Sequence, residues 1–516
     1  MKLWTGKTIK QAEDLAAQKG MTHLRMMENA GSAAAKVIRD QYSVAGTAVT
    51  VLAGKGNNGG DGLVVARKLC EAGAMVRVIL CCGAPSSDDA QEMLGRCRNL
   101  DITFCDYTVD EQQAALLLKT SDVIVDAVFG TGFHGAPPAE LETLFTFVNS
   151  LPAPVVALDM PSGANADTGE VASACVRADC TVSFSGKKAG QVQYPAAEYV
   201  GHVLTVEIGL PADSQNSVLT HMHEVEKAMA FSSFPKRPAN SHKGTFGTAA
   251  LFCGSRGMAG AAVLSAKSAL RCGAGLVRLS LPEEIYPIAA SQLTEAVLSP
   301  LLQTKSGTFS RSALERALQT AKSATACLVG CGLGENPETE GFVQYFLENC
   351  ETPMVLDADG INSLRGNITI LKAVKAPLVL TPHPGEMSRL IGKPVKEINA
   401  DRVGTALRLA EETGAVVVLK GAATVTACPA GEAFINPTGN SGMAKGGSGD
   451  VLAGMIVSFM AQGMSAASAS VCGVYLHGLA GDRAASRLSR RGMLPSDMIG
   501  ELPGLLLEIE AVGESS

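Results

Sequence analysis

Aromatic residues make up only 4% of the sequence, and tryptophan occurs once. Glycine, by contrast, occurs 55 times in 516 residues. That balance disfavours a β-sandwich and suits an α/β architecture with many tight strand–helix turns. Long apolar runs are missing: none approaches the roughly 18 residues of a spanning helix. The start, MKLWTGKTIKQAEDLAAQ, has no secretory apolar core. No basic block exists and the net charge is −7, so a nucleic-acid partner has no electrostatic footprint. The 14 cysteines form no C-x-x-C pair, and reduced, mostly buried thiols of a cytoplasmic protein are expected. Cys327 and Cys331 are spaced to share a helix face, but two further zinc ligands are not found. No G-x-x-x-x-G-K-[ST] loop occurs either.

What is present is a large apolar fraction, 46%, enough for two or more buried cores. Short apolar runs alternate with longer helical patterns. VTVLAG (49–54), MVRVILCC (75–82), VIVDAVFG (123–130), VVALDM (155–160), TVSFSG (181–186) and HVLTVEIG (202–209) read as strands of a doubly wound parallel sheet. A polar, mixed stretch comes next. Then TAALFCGS (248–255), LVRLSL (276–281), ACLVGCG (326–332), MVLDADG (354–360), LVLTPH (378–383) and AVVVLKG (415–421) give a second α/β pattern with no visible repeat of the first. We expect a Rossmann-like domain over 1–215, a linker and lead-in helix over 216–235, and a second α/β domain over 236–510.

GKGNNGGDG (54–62) stands between a strand and a helix and contains G-x-G-x-x-G, the turn that cradles pyrophosphate at a helix N-terminus. A nicotinamide dehydrogenase also needs an acidic residue about 20 positions on, to hold the ribose. The second strand instead ends in Cys81-Cys82-Gly83, which argues against hydride transfer. Asn57, Asn58 and Asp61 sit among the glycines. Asp126 stands at a later strand end, and Asp159 with Ser162 at the next. In an open parallel sheet these ends converge on one crevice. An oxygen-rich donor set without thiolate or imidazole suits a hard cation. Taken singly, each Asp would be read as a helix cap.

GNNGGDG, DAVFGTG, LDMPSG and FSGKKAG resemble the YjeF N-terminal family, the NAD(P)H-hydrate epimerases. The resemblance implies a potassium ion at Asn58, Asp126 and Ser162. It implies hydrate contacts at Asn57, Asn58, Gly59, Gly60 and Asp61, at Gly130, Thr131, Gly132, Phe133, His134, Gly135 and Ala136, and at Asp159. Epimerising a hydroxylated nicotinamide ring moves protons at the ring, so it needs a positioned carboxylate. Asp159 is assigned as that acid/base, with Lys188 as its charge partner. The family usually has Pro where this sequence has Lys187.

GNSGMAKGGSGDVLAG (439–454) runs from glycines into a helix whose first turn carries Asp450. Its N–H groups can form an anion hole for a transferring phosphoryl group, and Asp450 can take a proton from the attacking hydroxyl. As a helix cap alone, Asp450 would contribute about 1 kcal/mol. The motif resembles the ribokinase-like superfamily. SHKGTFG, ALRCGAGLVRLS, GCGLG, LDADGIN, LTPHPGEM and KGAATV narrow the likeness to the ADP-dependent NAD(P)H-hydrate dehydratases. This implies Asp450 as base, an anion hole at Gly446, Gly447, Ser448 and Gly449, and nucleotide contacts at Lys420, Gly421, Ala422, Ala423 and Thr424 as well as Gly449. It implies a hydrate pocket lined by Gly334, His383 and Asp450, and Mg²⁺ to neutralise phosphoryl charge, with Asp357 and Asp359 able to assist. Lys445 and Ser448 fall where the family often has Thr.

Together the two resemblances imply an enzyme of metabolite repair. One half epimerises the R and S forms of hydrated NADH or NADPH. The other dehydrates the S form at the expense of ADP, giving AMP and phosphate. The substrates are small molecules, with no nucleic acid and no membrane. Such folds often assemble, so a homo-oligomer is expected. The alternative is a ribokinase-like small-molecule kinase fused to a non-catalytic dinucleotide-binding module.

Overall fold

The computed structural model describes residues 1–513. Backbone contacts divide the chain into one unit from Lys2 to Met222 and a second from His223 onward, which also takes in Met1. The stretch expected as linker, 216–235, contains strand Met222–Glu224 and helix Lys227–Ser232.

In the first unit, strands β1 (Ala48–Ala53), β2 (Met75–Leu80), β3 (Ile102–Asp106), β4 (Val123–Ala127), β5 (Val155–Leu158), β6 (Cys180–Phe184) and β7 (His202–Val206) form one sheet in the order β3-β2-β1-β4-β5-β6-β7. Every pairing is parallel. β1, β4 and β5 are buried along their whole length. This explains why they read as nearly continuous apolar runs, interrupted only by the buried Thr50 and Asp126: helices cover both faces, so no residue can alternate out to water. The chain winds from β1 outward through β2 to β3, then returns to β4 on the other side of β1. The C-terminal ends of β1 and β4 therefore flank the topological switch point, where a doubly wound sheet opens its crevice. β3 has no counterpart among the strands expected from the sequence. Its run, ITFCD, carries a half-exposed Phe and a terminal Asp, so it lacks the apolar signature.

The second unit holds β8 (Met222–Glu224), β9 (Thr248–Phe252), β10 (Leu276–Pro282), β11 (Val297–Leu301), β12 (Ala326–Val329), β13 (Met354–Leu356), β14 (Leu378–Leu380), β15 (Val416–Leu419), β16 (Val425–Ala427) and β17 (Ala433–Ile435). They lie in the order β11-β10-β9-β12-β13-β14-β15-β16-β17-β8. From β11 to β15 the pairings are parallel, and β15, β16 and β17 turn antiparallel. The switch point falls between β9 and β12. Helix Ser448–Ala461 is apolar all round and buried from Val451 to Ala461, as expected of a helix enclosed by its neighbours.

The expected strands are found, but most stop one to four residues early. Just beyond β1, β5, β12, β13, β14 and β15 comes a glycine, a charged residue or a threonine: Gly54, Asp159, Gly330, Asp357, Thr381 and Lys420. Cys327 lies in β12 and Cys331 just after it, so they share no helix face. All 14 cysteines are free thiols, and only Cys70 and Cys82 are not buried. Among the described residues, no helix is long and apolar enough to cross a membrane.

Candidate active sites

The first site is built at the C-terminal ends of β1, β4, β5 and β6. Helix Asn57–Glu71 starts there, with Gly56 as its N-cap. Its opening turn presses on the strand end so closely that a β-carbon on Gly59 would stand 1.9 Å from the Gly54 carbonyl oxygen. Only glycine permits that approach at position 59. Asn58 lies against Gly130, whose β-carbon would meet Asn58 Cγ at 3.2 Å. The Asn58 amide nitrogen is buried and has no hydrogen-bond partner.

Asp126, fully buried near the end of β4, accepts from the Ser162 N–H at 2.8 Å, the Ser162 hydroxyl at 2.6 Å and the Val128 N–H at 3.2 Å. Burial pushes its pKa up to about 6, against which those hydrogen bonds work. No basic side chain is among the influences on it. A buried carboxylate without a counter-charge, beside a hydroxyl, fits a hard monovalent cation with oxygen ligands; the unpartnered Asn58 nitrogen is a donor and is not itself a ligand.

Asp159 comes directly after β5 with φ of 64°, a left-handed conformation that a non-glycine residue adopts only when its surroundings impose it. Those surroundings are visible. Its N–H donates to Val182 O at 2.8 Å, and its carbonyl accepts from Gln191 Nε2 at 2.6 Å. Lys188, fully buried, donates to Asp159 Oδ1 and to Phe184 O at 2.7 Å. The lysine is held by a short pairing in which Trp4 N donates to Lys187 O at 2.9 Å and Ala189 N to Trp4 O at 2.8 Å. Two further carboxyls feel this ion pair. Burial, then the charge of Asp159, raises Glu13 to about 7, while Lys188 works the other way. Desolvation, then the charges of Asp159 and Glu13, holds Asp61 well above the carboxylate range. Glu13 belongs to helix Gly6–Gln18, an amphipathic segment without a motif, so nothing in the sequence marked it. The loop 130–136 is partly open to solvent, and His134 Nδ1 lies 3.2 Å from Asn165 Nδ2.

The second site repeats this logic. Cys253, Cys331, Asp357, Thr381 and Lys420 stand just past β9, β12, β13, β14 and β15. Lys420 Nζ lies 2.7 Å from Asp357 Oδ1 and 3.8 Å from Glu386 Oε2. Thr381 donates to the same Asp357 oxygen at 2.6 Å. Although burial opposes it, the Lys420 charge and these hydrogen bonds hold the Asp357 carboxyl below its usual range. Asp450 enters from the first turn of helix Ser448–Ala461. One ligand atom each from Cys331, Asp357 and Asp450 lies within 4.8 Å of the others. Burial and then Asp357 raise Asp450 to about 6. The two carboxylates supply oxygen donors of the kind Mg²⁺ takes.

Supporting groups fix this site. His477 Nε2 lies 3.0 Å from Ser448 O, and burial lowers its pKa to about 4, so it is neutral at pH 7 and donates to the glycine turn. Ser448 itself donates to Met443 O at 2.7 Å. Lys445 donates to Arg491 O at 2.7 Å and to Met493 O, so its ammonium is tied to the end of a neighbouring helix rather than free. Residues 420–424 close on themselves, with Thr424 Oγ1 donating to Gly421 O at 2.8 Å, and Arg402 Nη2 braces Leu419 O at 3.0 Å. His383 caps helix Pro384–Ile391, accepting from Gly385 N and Glu386 N at 3.0 and 3.2 Å. Gly334 N donates to Asp359 Oδ2 at 2.9 Å, so Asp359 anchors the Gly334 loop while Asp357 joins the charged cluster. Thr381 and Glu386 lie within LTPHPGEM, and Cys331 within GCGLG, yet nothing in those motifs sets them apart as site residues. Arg402 and His477 lie outside every motif.

Two α/β units, each with acidic and basic groups gathered past the C-terminal ends of its parallel strands, define an enzyme with two active centres. Residues 23–190 match the family described as YjeF-related protein N-terminus, and residues 249–504 match NAD(P)H-hydrate dehydratase. The bifunctional NAD(P)H-hydrate repair enzyme of Moorella thermoacetica is 38% identical, covering 99% of this chain and 97% of its own. That of Escherichia coli K12 is 35% identical, with 97% and 93% covered. A solved ribokinase-like superfamily protein from Enterococcus faecalis V583 superposes with a TM-score of 0.50 at 26% identity, covering 56% of this chain and 97% of its own. The chain belongs to the family of bifunctional NAD(P)H-hydrate repair enzymes. Its fold is a Rossmann-like domain followed by a ribokinase-like one.

Proposed function

We propose that Asp159 is the acid/base of NAD(P)H-hydrate epimerisation and Asp450 the base of ADP-dependent dehydration, the two activities residing in 1–215 and 236–510. The observation that supports this best is a carboxylate at the C-terminal edge of each sheet, Asp159 buried and Asp450 half-buried. Each is beside one lysine that is ion-paired to a carboxylate.

In the first site Asp159 takes a proton at the hydrated ring and returns it, so the hydroxylated carbon is rebuilt with either configuration. Lys188 keeps the carboxylate aligned. The turn from Asn57 to Asp61 and the loop from Gly130 to Ala136 hold the ring and ribose. Asn58, Asp126 and Ser162 would hold K⁺, which supplies a fixed positive charge at the crevice.

In the second site Asp450 removes the proton of the ring hydroxyl as that oxygen attacks the β-phosphorus of ADP. The bond to AMP breaks. The ring then expels phosphate, loses a proton and regains its double bond, giving NAD(P)H. N–H groups from Gly446 to Gly449 stabilise the transferring phosphoryl group. Lys420, braced by Asp357, and residues 421–424 hold the nucleotide, and Gly334 and His383 line the hydrate pocket. Mg²⁺ near Asp357 and Asp450 would supply charge neutralisation. The setting we propose is cytoplasmic, and the assembly a homo-oligomer.

The test is Asp159→Asn. It should abolish epimerisation of the R form while ADP-dependent dehydration of the S form continues. Surviving epimerisation would show that another group is the acid/base.

A further inference from the structure

Two cavities open beside the proposed hydrate pocket. The smaller, about 270 Å³, is lined by Gly334, Asp359 and Asn362 among others, and ends at Arg365 and Arg389. The larger, about 500 Å³, shares those two arginines and continues to Lys393, Thr405 and Arg408. Small-molecule sites are usually about 300–1,000 Å³. The smaller cavity therefore has room for a nicotinamide riboside but not for a whole dinucleotide. The rest of such a substrate must leave past Arg365 and Arg389, into the larger one.

The charges there are unequal. Arg365 Nε is bonded to Glu340 at 2.9 Å, and Arg408 to Asp401 at 3.1 Å. Glu412, also on the wall, is paired with Lys372 at 2.9 Å. Arg389 differs: its Nε donates to the neutral Asn362 Oδ1 at 2.9 Å. Among the described residues, neither Arg389 nor Lys393 has a carboxylate in ion-pair range. They flank Gly392, which ends helix Pro384–Ile391 in a left-handed conformation. Cations at a helix C-terminus offset its dipole. That alone accounts for the helix but not for two uncompensated charges facing a cavity in a chain of net charge −7.

We infer that this cavity receives the adenosine end of the substrate, and that Lys393 and Arg389 bind the 2′-phosphate that distinguishes hydrated NADPH from hydrated NADH. A phosphate monoester carries close to two negative charges at neutral pH and gains most from cations without other partners. The inference rests on the assignment of Gly334 and His383 to the hydrate pocket.

The experiment uses the full chain, saturating ADP and the S epimers of both hydrates. Lys393→Gln should raise KM for hydrated NADPH about tenfold, the loss of one charge-assisted contact. KM for hydrated NADH, and kcat on both, should stay as they are. Arg389→Gln should act in the same direction, and Lys393→Arg should restore the preference. An equal rise for both hydrates, no change for either, or a rise only in KM for ADP would each overturn the inference. His383→Ala tests the pocket separately. If that change leaves KM for both hydrates untouched, the pocket assignment fails, whatever Lys393 does.

Discussion

The ammonium of Lys420 and the carboxylate of Asp357 meet at 2.7 Å, each one residue beyond the end of a buried parallel strand. Helix Ser448–Ala461 starts directly above them. A β-carbon on Gly449 would stand 3.2 Å from Lys420 Nζ and 3.9 Å from Asp357 Oδ2. Gly449→Ala should therefore displace the lysine by a few tenths of an ångström and tilt the glycine turn. Misplacement on this scale is costly in a site that works by positioning. We expect dehydration to fall about tenfold or more, with epimerisation and the melting temperature nearly unchanged. Parallel assays of both activities on the one variant check this. A fully active Gly449→Ala protein would mean that the turn lies outside the phosphoryl path.

Asp450 must be ionised to act as a base. Its pKa is raised to about 6 by burial and by the charge of Asp357. The rate of dehydration should thus fall as pH drops through about 6, with the slope of a single proton. An acid limb near the ordinary carboxylate value of 3.8 would show that Asp450 is not desolvated in the working enzyme.

With K⁺ held at Asp126 as proposed, cation binding would be linked to stability. The folded pKa of Asp126, about 6, lies above its ordinary 3.8, so the folded state holds the proton more tightly than the unfolded chain does. Stability consequently falls as pH rises from about 4 through about 6, and the loss persists above that. A bound cation favours the ionised form and offsets the loss. Replacing K⁺ by a bulky organic cation should therefore lower the melting temperature at neutral pH and leave it unchanged near pH 4. A K⁺ effect of the same size at both values would separate the ion from Asp126.

Much of the fold and of both sites is legible in the sequence, and the reason is physical. β1, β4 and β5 are covered on both faces, so their sequences are nearly continuous apolar runs that announce a parallel sheet. A β-carbon at Gly54 or Gly59 would strike other backbone and one at Gly449 would press on Lys420, while Gly60, Gly62 and Gly447 lie against apolar side chains. Other parts leave no mark. β3 is only partly buried and lacks an apolar run. Glu13 reaches the Asp159 cluster from a helix distant in sequence, and an amphipathic helix does not advertise which of its polar residues faces a site. His477 sits within Ala466–Gly492, mostly buried, where a histidine reads as core. The orienting hydrogen bonds of Gln191 and Arg402 come from side chains that only the folded chain brings near.

Asp159, Asp357, Thr381 and Lys420 each stand one step outside the strand that folds them, although Asp126 lies within β4. Most strand residues are apolar, and these residues just past them are charged or hydroxylic. Shape and reactivity are thus written in neighbouring but separate letters of the chain. Damage to one need not register in the other: on the proposed assignments a variant at 159 or 450 would melt like the parent and lose one of the two activities, while a change at Val156 or Val417 would show first in the amount of folded protein. Sorting variants of this enzyme by abundance alone would overlook those that matter most to its chemistry.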